Sequence, residues 1–178
     1  LKYMTMKLAV VGMGLIGGSM AIDLRRKGFA QEIIGVEEDK VHAEAALKLG
    51  LADRIESFED AVREADLTII AVPVSAAEKL LPKALDIYAE EGADCQKIVL
   101  DVCSVKEPSL RSVHYHPMRR RYVATHPMSG TEYSGPWAAL PGLFDGRAGI
   151  ICNSEDSDLK ALRTVEKLYD TLNMRMVF

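Results

Sequence analysis

The stretch Lys7-Leu8-Ala9-Val10-Val11-Gly12-Met13-Gly14-Leu15-Ile16-Gly17-Gly18-Ser19 decides how this chain is read. A short apolar run ends in Gly-x-Gly-x-x-Gly, and a helical pattern follows over residues 15–27. A second apolar run, 32–36, then ends at the acidic Glu37. Strand, glycine turn, helix, strand and acid in this order form the fingerprint of a dinucleotide-binding unit. Gly12 permits the tight turn, Gly14 leaves the backbone bare for a pyrophosphate, and Gly17 lets the helix lie close to the strand. The free N–H groups and positive end of the helix then face the diphosphate. Without the flanking strand and helix, the three glycines would mark only a flexible turn.

Glu37 stands where a carboxylate accepts both ribose hydroxyls of an adenosine and repels a 2′-phosphate. That favours NAD, while the nearby Lys40 keeps NADP possible. The other reading of Glu37, Glu38 and Asp39 is a solvated acidic turn at a helix start.

Working outward, strand-like runs fall at 7–11, 32–36, 67–72, 97–102, 122–125, 148–152 and 175–178. Helical patterns fall at 15–27, 40–49, 58–64, 76–88, 107–113 and 157–172. The first helix puts Gly17, Met20, Ala21 and Leu24 on one face and Ser19, Asp23 and Arg26 on the other. Arg25-Arg26-Lys27-Gly28 ends it with cations and a stop. Leu162, Val165, Leu168, Tyr169 and Leu172 form an apolar stripe on the last helix. Pro82 is expected to kink or restart the helix around it. Continuous apolar strands alternating with helices predict an α/β fold: a doubly wound, mainly parallel sheet of Rossmann type with helices on both faces. Residues 1–178 read as one NAD(P)-binding domain.

Composition agrees with a globular domain: 48% hydrophobic and 27% charged residues. No apolar run is long enough to span a bilayer, and residues 1–6 lack the long apolar segment of a secretion signal. No membrane partner is therefore expected. The formal charge of −4 gives no electrostatic footprint for nucleic acid. Cys95, Cys103 and Cys152 are odd in number and form no Cys-x-x-Cys pair, so no metal site is expected and the cytoplasm is the expected location. Cys103 reads as a small buried filler. Arg119-Arg120-Arg121 reads as a solvated loop and His114-Tyr115-His116 as a polar one. Residues 137–146, with Pro141-Gly142 and Asp145-Gly146, read as a turn-rich loop that either covers the site or merely connects.

In a doubly wound fold, ligands gather at the carboxyl ends of the strands. Three unusual segments begin there: Val72-Pro73-Val74, Asp101-Val102-Cys103-Ser104-Val105-Lys106 and His126-Pro127-Met128-Ser129-Gly130-Thr131-Glu132. His126 directly follows a strand and precedes a proline, which holds its backbone extended. A neutral imidazole there accepts a proton, and the Ser104 hydroxyl both donates and accepts. Such a pair beside a nicotinamide suits oxidation of a hydroxyl. A turn histidine bonded to nearby backbone is the plainer alternative.

Val11-Gly12-Met13-Gly14-Leu15-Ile16-Gly17-Gly18-Ser19, the segment Asp101 to Lys106, and the segment from His126 on through Tyr133-Ser134-Gly135 resemble the prephenate dehydrogenase family, which includes arogenate dehydrogenases. The resemblance implies NAD(P)-dependent oxidative decarboxylation of prephenate to 4-hydroxyphenylpyruvate, or of arogenate to tyrosine, in tyrosine biosynthesis. It implies that Gly12, Gly14, Leu15, Ile16 and Gly17 hold the pyrophosphate, Glu37 the adenosine ribose, and Val72 and Pro73 the cofactor's flank. It makes His126 the acceptor of the ring hydroxyl's hydrogen bond. Ser104 would orient His126 and contact the substrate hydroxyl or the nicotinamide, and Thr131 and Glu132 would line the substrate entrance. Family members continue into a helical domain that forms a homodimer and completes the substrate pocket. That domain has no counterpart before Phe178, so this chain is expected to bind NAD and to turn over prephenate poorly by itself. Two rival readings keep the fold. One is another reductase, of the pyrroline-carboxylate or β-hydroxyacid type; the other is a non-catalytic NAD-sensing module.

Overall fold

Side chains alternate across a strand. Along Met6–Val11 (β1), Leu8 and Val10 therefore enter one apolar cluster while Ala9 and Val11 enter another. Both clusters are buried, so the strand lies in the middle of a sheet covered on two sides. The computed structural model describes residues 6–130 and 133–178. Its other strands are Ala30–Val36 (β2), Arg54–Ile55 (β3), Leu67–Ile70 (β4), Ile98–Asp101 (β5), Tyr122–Pro127 (β6), Ala148–Cys152 (β7) and Arg175–Val177 (β8). The helices are Leu15–Arg26 (α1), Lys40–Lys48 (α2), Phe58–Glu64 (α3), Val74–Glu91 (α4), Glu107–Val113 (α5) and Leu159–Thr171 (α6).

Among the described residues, eight strands form one sheet in the order β3-β2-β1-β4-β5-β6-β7-β8. The first six are parallel; β7 runs antiparallel to β6, and β8 follows β7. This is the doubly wound, mainly parallel sheet expected from the apolar pattern. Helices α1 and α6 cover one face with Met20, Leu24, Val165 and Leu168; α3, α4 and α5 cover the other with Val62, Leu81, Leu85 and Val113. Burying one such side chain contributes roughly 1.5–3 kcal/mol, against about 1 kcal/mol net for a ladder hydrogen bond. The two-sided apolar alternation therefore sets the register. Strand order reverses between β1 and β4, and a ligand crevice opens at such a switch point.

Besides the two-residue strand β3, which the sequence reading lacks, the structure departs from that reading in four places. First, α4 runs through Pro82 without restarting. A proline inside a helix costs about 3 kcal/mol. Ala77, Leu81, Ala84, Leu85, Ile87 and Tyr88 are all buried along α4 and together outweigh that. Second, β6 extends to Pro127, so His126 lies inside the strand, opposite Ile150 of β7. Third, Arg119 and Arg121 are buried, not solvated. Arg121 donates through Nε to the Lys97 carbonyl (2.9 Å) and through Nη2 to the Gln96 carbonyl (2.5 Å), and Arg119 donates to the Tyr122 carbonyl (2.9 Å). They supply donors to backbone oxygens at the amino ends of β5 and β6; the Tyr122 carbonyl also accepts from Ser157 Oγ at 2.7 Å. Fourth, the polar face of α1 is covered. Ser19 accepts from Leu140 N–H at 3.1 Å, and the Asp23 carboxylate accepts from Gly142 N–H at 3.2 Å. The turn-rich loop is thereby strapped across the helix. Among the described residues no helix is long and apolar enough to cross a membrane.

A Cβ at Gly17 would lie 2.1 Å from the Gly12 carbonyl oxygen and 2.9 Å from Val10 Cγ1. The obstacle is backbone, so the helix itself would have to lift. Gly17→Ala should cost about 1–3 kcal/mol, read as a lower urea midpoint. An unchanged midpoint would show that the helix is not seated this closely.

Candidate active site

The site is built from the ends of five neighbouring strands, β2, β1, β4, β5 and β6. At the end of β1, Gly12 turns the chain with φ +93°, a conformation that side chains disfavour. Its N–H donates to the Val36 carbonyl at 2.9 Å, which ties the turn to β2. Gly14 is the residue before α1 and offers the helix no side-chain cap. The first intrahelical bond runs from Gly18 N–H to the Gly14 carbonyl at 2.8 Å. The N–H groups of Leu15, Ile16 and Gly17 precede it and point out of the helix end without an intrahelical partner. A Cβ on Gly14 would meet nothing within 4 Å. The open space therefore lies against bare backbone donors at the positive end of a helix, and a diphosphate fits that chemistry.

Glu37 follows β2 and turns back toward this cradle. Its carboxylate accepts from Met13 N–H and Asp39 N–H, both at 3.2 Å. These are long bonds that a ribose hydroxyl can displace. Asp39, by contrast, caps α2, accepting from Val41 N–H at 2.9 Å and His42 N–H at 3.0 Å; those bonds, the one from His42 foremost, hold its carboxyl below the usual range. The acidic turn thus divides its work, with one acid facing the crevice and one starting a helix.

A groove of about 520 Å³ opens at the switch point, within the size range of ligand sites. Gly12, Gly14, Glu37, Val72 and Pro73 line it. Leu15 and Ile16 sit in the first turn of α1, packed partly against the core. Among the further lining residues, His42 and Phe58 carried no site reading in the sequence. His42 lies in the first turn of a helix that starts at the crevice, and that position was the available signal. Its ring meets the edge of Trp137 at 5.3 Å, so the strap over α1 also closes one wall of the groove.

Ser104 and His126 stand on the same rim, one and two strands beyond β4. They do not line the groove itself. Ser104 is exposed on the loop after β5; His126 is half-buried near the end of β6. Among the described residues no hydrogen bond joins these two, and the buried Nδ1 of His126 has no partner there. Burial, and next the Lys106 ammonium, push the imidazole below its ordinary value against the opposing pull of Asp101. Thr131 and Glu132 lie outside the described residues. Cys103 is a buried thiol in contact with the Val72 carbonyl at 3.4 Å, and burial pushes it up to about 12. It stays protonated and packs, as its filler reading predicts.

A doubly wound sheet with an open glycine cradle at its switch point and an acid after the second strand defines a dinucleotide-binding domain. Residues 20–178 match the family described as prephenate dehydrogenase, nucleotide-binding domain, and the chain belongs to that family. The prephenate dehydrogenase of Bacillus subtilis (strain 168) is 33% identical over 175 residues, which cover 96% of this chain and 45% of that protein. The crystal structure of prephenate dehydrogenase from A. aeolicus in complex with hydroxyphenyl propionate and NAD+ is 26% identical. It superposes with a TM-score of 0.87 over 99% of this chain and 60% of its own. Synechocystis arogenate dehydrogenase is 27% identical, with a TM-score of 0.80 over 97% of this chain and 59% of its own. The chain thus spans about half the length of the curated relatives it matches.

The lowered His126 value gives a pH prediction. The folded protein resists protonating this ring, whereas the unfolded chain takes up the proton near pH 6.5. Below that point the unfolded state binds more protons, so the His126 contribution to stability is present above pH 6.5 and lost as pH falls through the folded value. Imidazole NMR should place the His126 titration below the ordinary histidine range. A midpoint at or above that range would contradict the burial argument.

Proposed function

We propose that this chain is the cofactor-binding part of an NAD-dependent dehydrogenase that oxidatively decarboxylates prephenate or arogenate. The supporting observation is the sequence of groups along one rim. The glycine cradle ends β1, Val72 and Pro73 follow β4, Ser104 follows β5, and His126 lies at the end of β6. A diphosphate anchor and a proton acceptor so arranged suit a long dinucleotide with its redox ring directed at a histidine.

NAD, when bound, supplies the hydride acceptor. The residues of the chain do the rest. Leu15, Ile16 and Gly17 N–H groups hold the diphosphate. Glu37 accepts the ribose hydroxyls and repels a 2′-phosphate. His126, held neutral, takes the proton from the ring hydroxyl, and Ser104 orients that hydroxyl. As the hydroxyl-bearing carbon gives up hydride, the carbon–carboxylate bond breaks and its electron pair enters the ring; carbon dioxide leaves, the ring becomes aromatic, and the phenolic oxygen takes its proton back from His126. Alignment and one proton acceptor are the main demands on the protein.

The test is calorimetric titration of this chain with NAD and NADP, alone and with prephenate present. NAD should bind more tightly than NADP, and Glu37→Ala should weaken NAD and narrow the gap. Unchanged selectivity would remove Glu37 from the ribose role. In the full-length protein, His126→Asn should abolish most turnover while NAD affinity persists. Retained turnover would remove His126 from the proton-accepting role.

A further inference from the structure

Beneath the Ser104 loop lies a buried charged cluster that includes both Lys106 and Asp101. Asp101, the last residue of β5, is fully buried. Its carboxylate accepts from Tyr122 Oη–H at 2.6 Å and from Cys103 N–H at 3.2 Å, and it is ion-paired with Lys106. The Lys106 side chain is 11% exposed. Its ammonium also donates to the Thr125 carbonyl at 2.6 Å. That carbonyl belongs to the residue immediately before His126. Thr125 in turn donates through Oγ1 to the Asp101 carbonyl at 2.7 Å and shares a 2.5 Å hydrogen bond with Tyr169.

One cation therefore joins two strand ends. Residues 102–105, which carry Ser104, are a short loop closed at its base by the Lys106–Asp101 pair. The same ammonium fastens that base to the backbone of β6 next to the imidazole. We propose that Lys106 is a positioning residue: it bolts the Ser104 loop to the strand bearing His126 and brings a positive charge to the strand that carries the imidazole. An uncharged residue of the same length could pack there but would neither pair with Asp101 nor bias the ring.

The field at His126 comes from a short set of groups. From the β5 side, Lys106 disfavours the imidazolium and Asp101 favours it, with the lysine the stronger of the two. From the β7 side the nearest titratable group along the strand is Cys152, two residues beyond Ile150, the partner of His126; burial pushes its thiol up, so it carries no charge. Tyr169, behind Thr125, is likewise pushed up by burial and stays neutral. Burial is the largest influence on the ring, and the Lys106–Asp101 balance adds to it in the direction of the lysine.

The test reads the ring directly and does not depend on which substrate the site takes. The His126 imidazole is titrated by NMR in this chain, in wild type, Lys106→Met and Lys106→Arg. Lys106→Met should raise the His126 midpoint by ~1 unit, and Lys106→Arg should keep it low. Because Lys106→Met strands a buried carboxylate, Asp101→Asn/Lys106→Met is measured beside it. Its midpoint should also rise, by less, since both fields are gone. A His126 midpoint unchanged in the folded Met variants, or raised equally by arginine, overturns the proposal. The second arm rests on the dehydrogenase reading. In the full-length protein, the acid limb of kcat/KM against pH should move to higher pH in Lys106→Met and return in Lys106→Arg, with NAD affinity unchanged. An acid limb that stays put while the NMR midpoint moves would sink the dehydrogenase role of His126 and leave the Lys106 effect standing.

Discussion

The structure depends on how closely the amino end of α1 sits on β1. At position 17 there is no room for a Cβ against the Gly12 carbonyl, and at position 14 the corresponding direction is empty. The two facts are complementary. The crowded glycine brings the helix down onto the strand, and the open one leaves bare donors facing the crevice. Because β1 lies beside the switch point, every other site element is placed relative to that seat. The parallel strands bring Val72, Ser104 and His126 to the same rim, although the chain separates them widely. The apolar alternation that buries both faces of the sheet thus also sets the geometry of the site.

A second constraint operates farther along the rim. Buried ion pairs are weak sources of stability, because desolvation offsets much of the attraction. The Asp101–Lys106 pair is better understood as a device for fixing geometry. Its carboxylate is shared by Tyr122 and the Cys103 backbone, and its ammonium by the Thr125 carbonyl. It therefore specifies how the ends of β5 and β6 meet. Burial and the neighbouring carboxylate push the Tyr122 phenol far up, so it remains a hydrogen-bond donor to Asp101. The network is neutral overall and carries its positive member next to the imidazole.

Most of the fold was legible because its signals are local. The glycine turn, the cations ending α1 and the two-sided apolar strands each lie within a few residues of one another. What escaped was set by distant partners. Arg119 and Arg121 look solvated until the carbonyls of Gln96 and Lys97 are brought beside Arg121. Ser19 and Asp23 look like a wet helix face until residues 140–142 cross it. His126 appeared to follow a strand because its partner, Ile150, belongs to an antiparallel strand formed later in the chain. β3 has two residues, too few for any periodicity. Within the site, Gly12, Gly14, Glu37, Val72 and Pro73 fall at the groove, whereas Gly17 packs against β1. His42 was not legible, because only the folded crevice shows which side of α2 faces inward.

The central claim is that the amino end of α1 grips a diphosphate while the His126 ring faces the redox end of the same molecule. A crystal structure of this chain with NAD bound tests it most directly. The account requires pyrophosphate oxygens within hydrogen-bond distance of the Leu15 to Gly17 amides, and the nicotinamide beside His126. A dinucleotide seated elsewhere, or a nicotinamide on the far side of the sheet from His126, would contradict it.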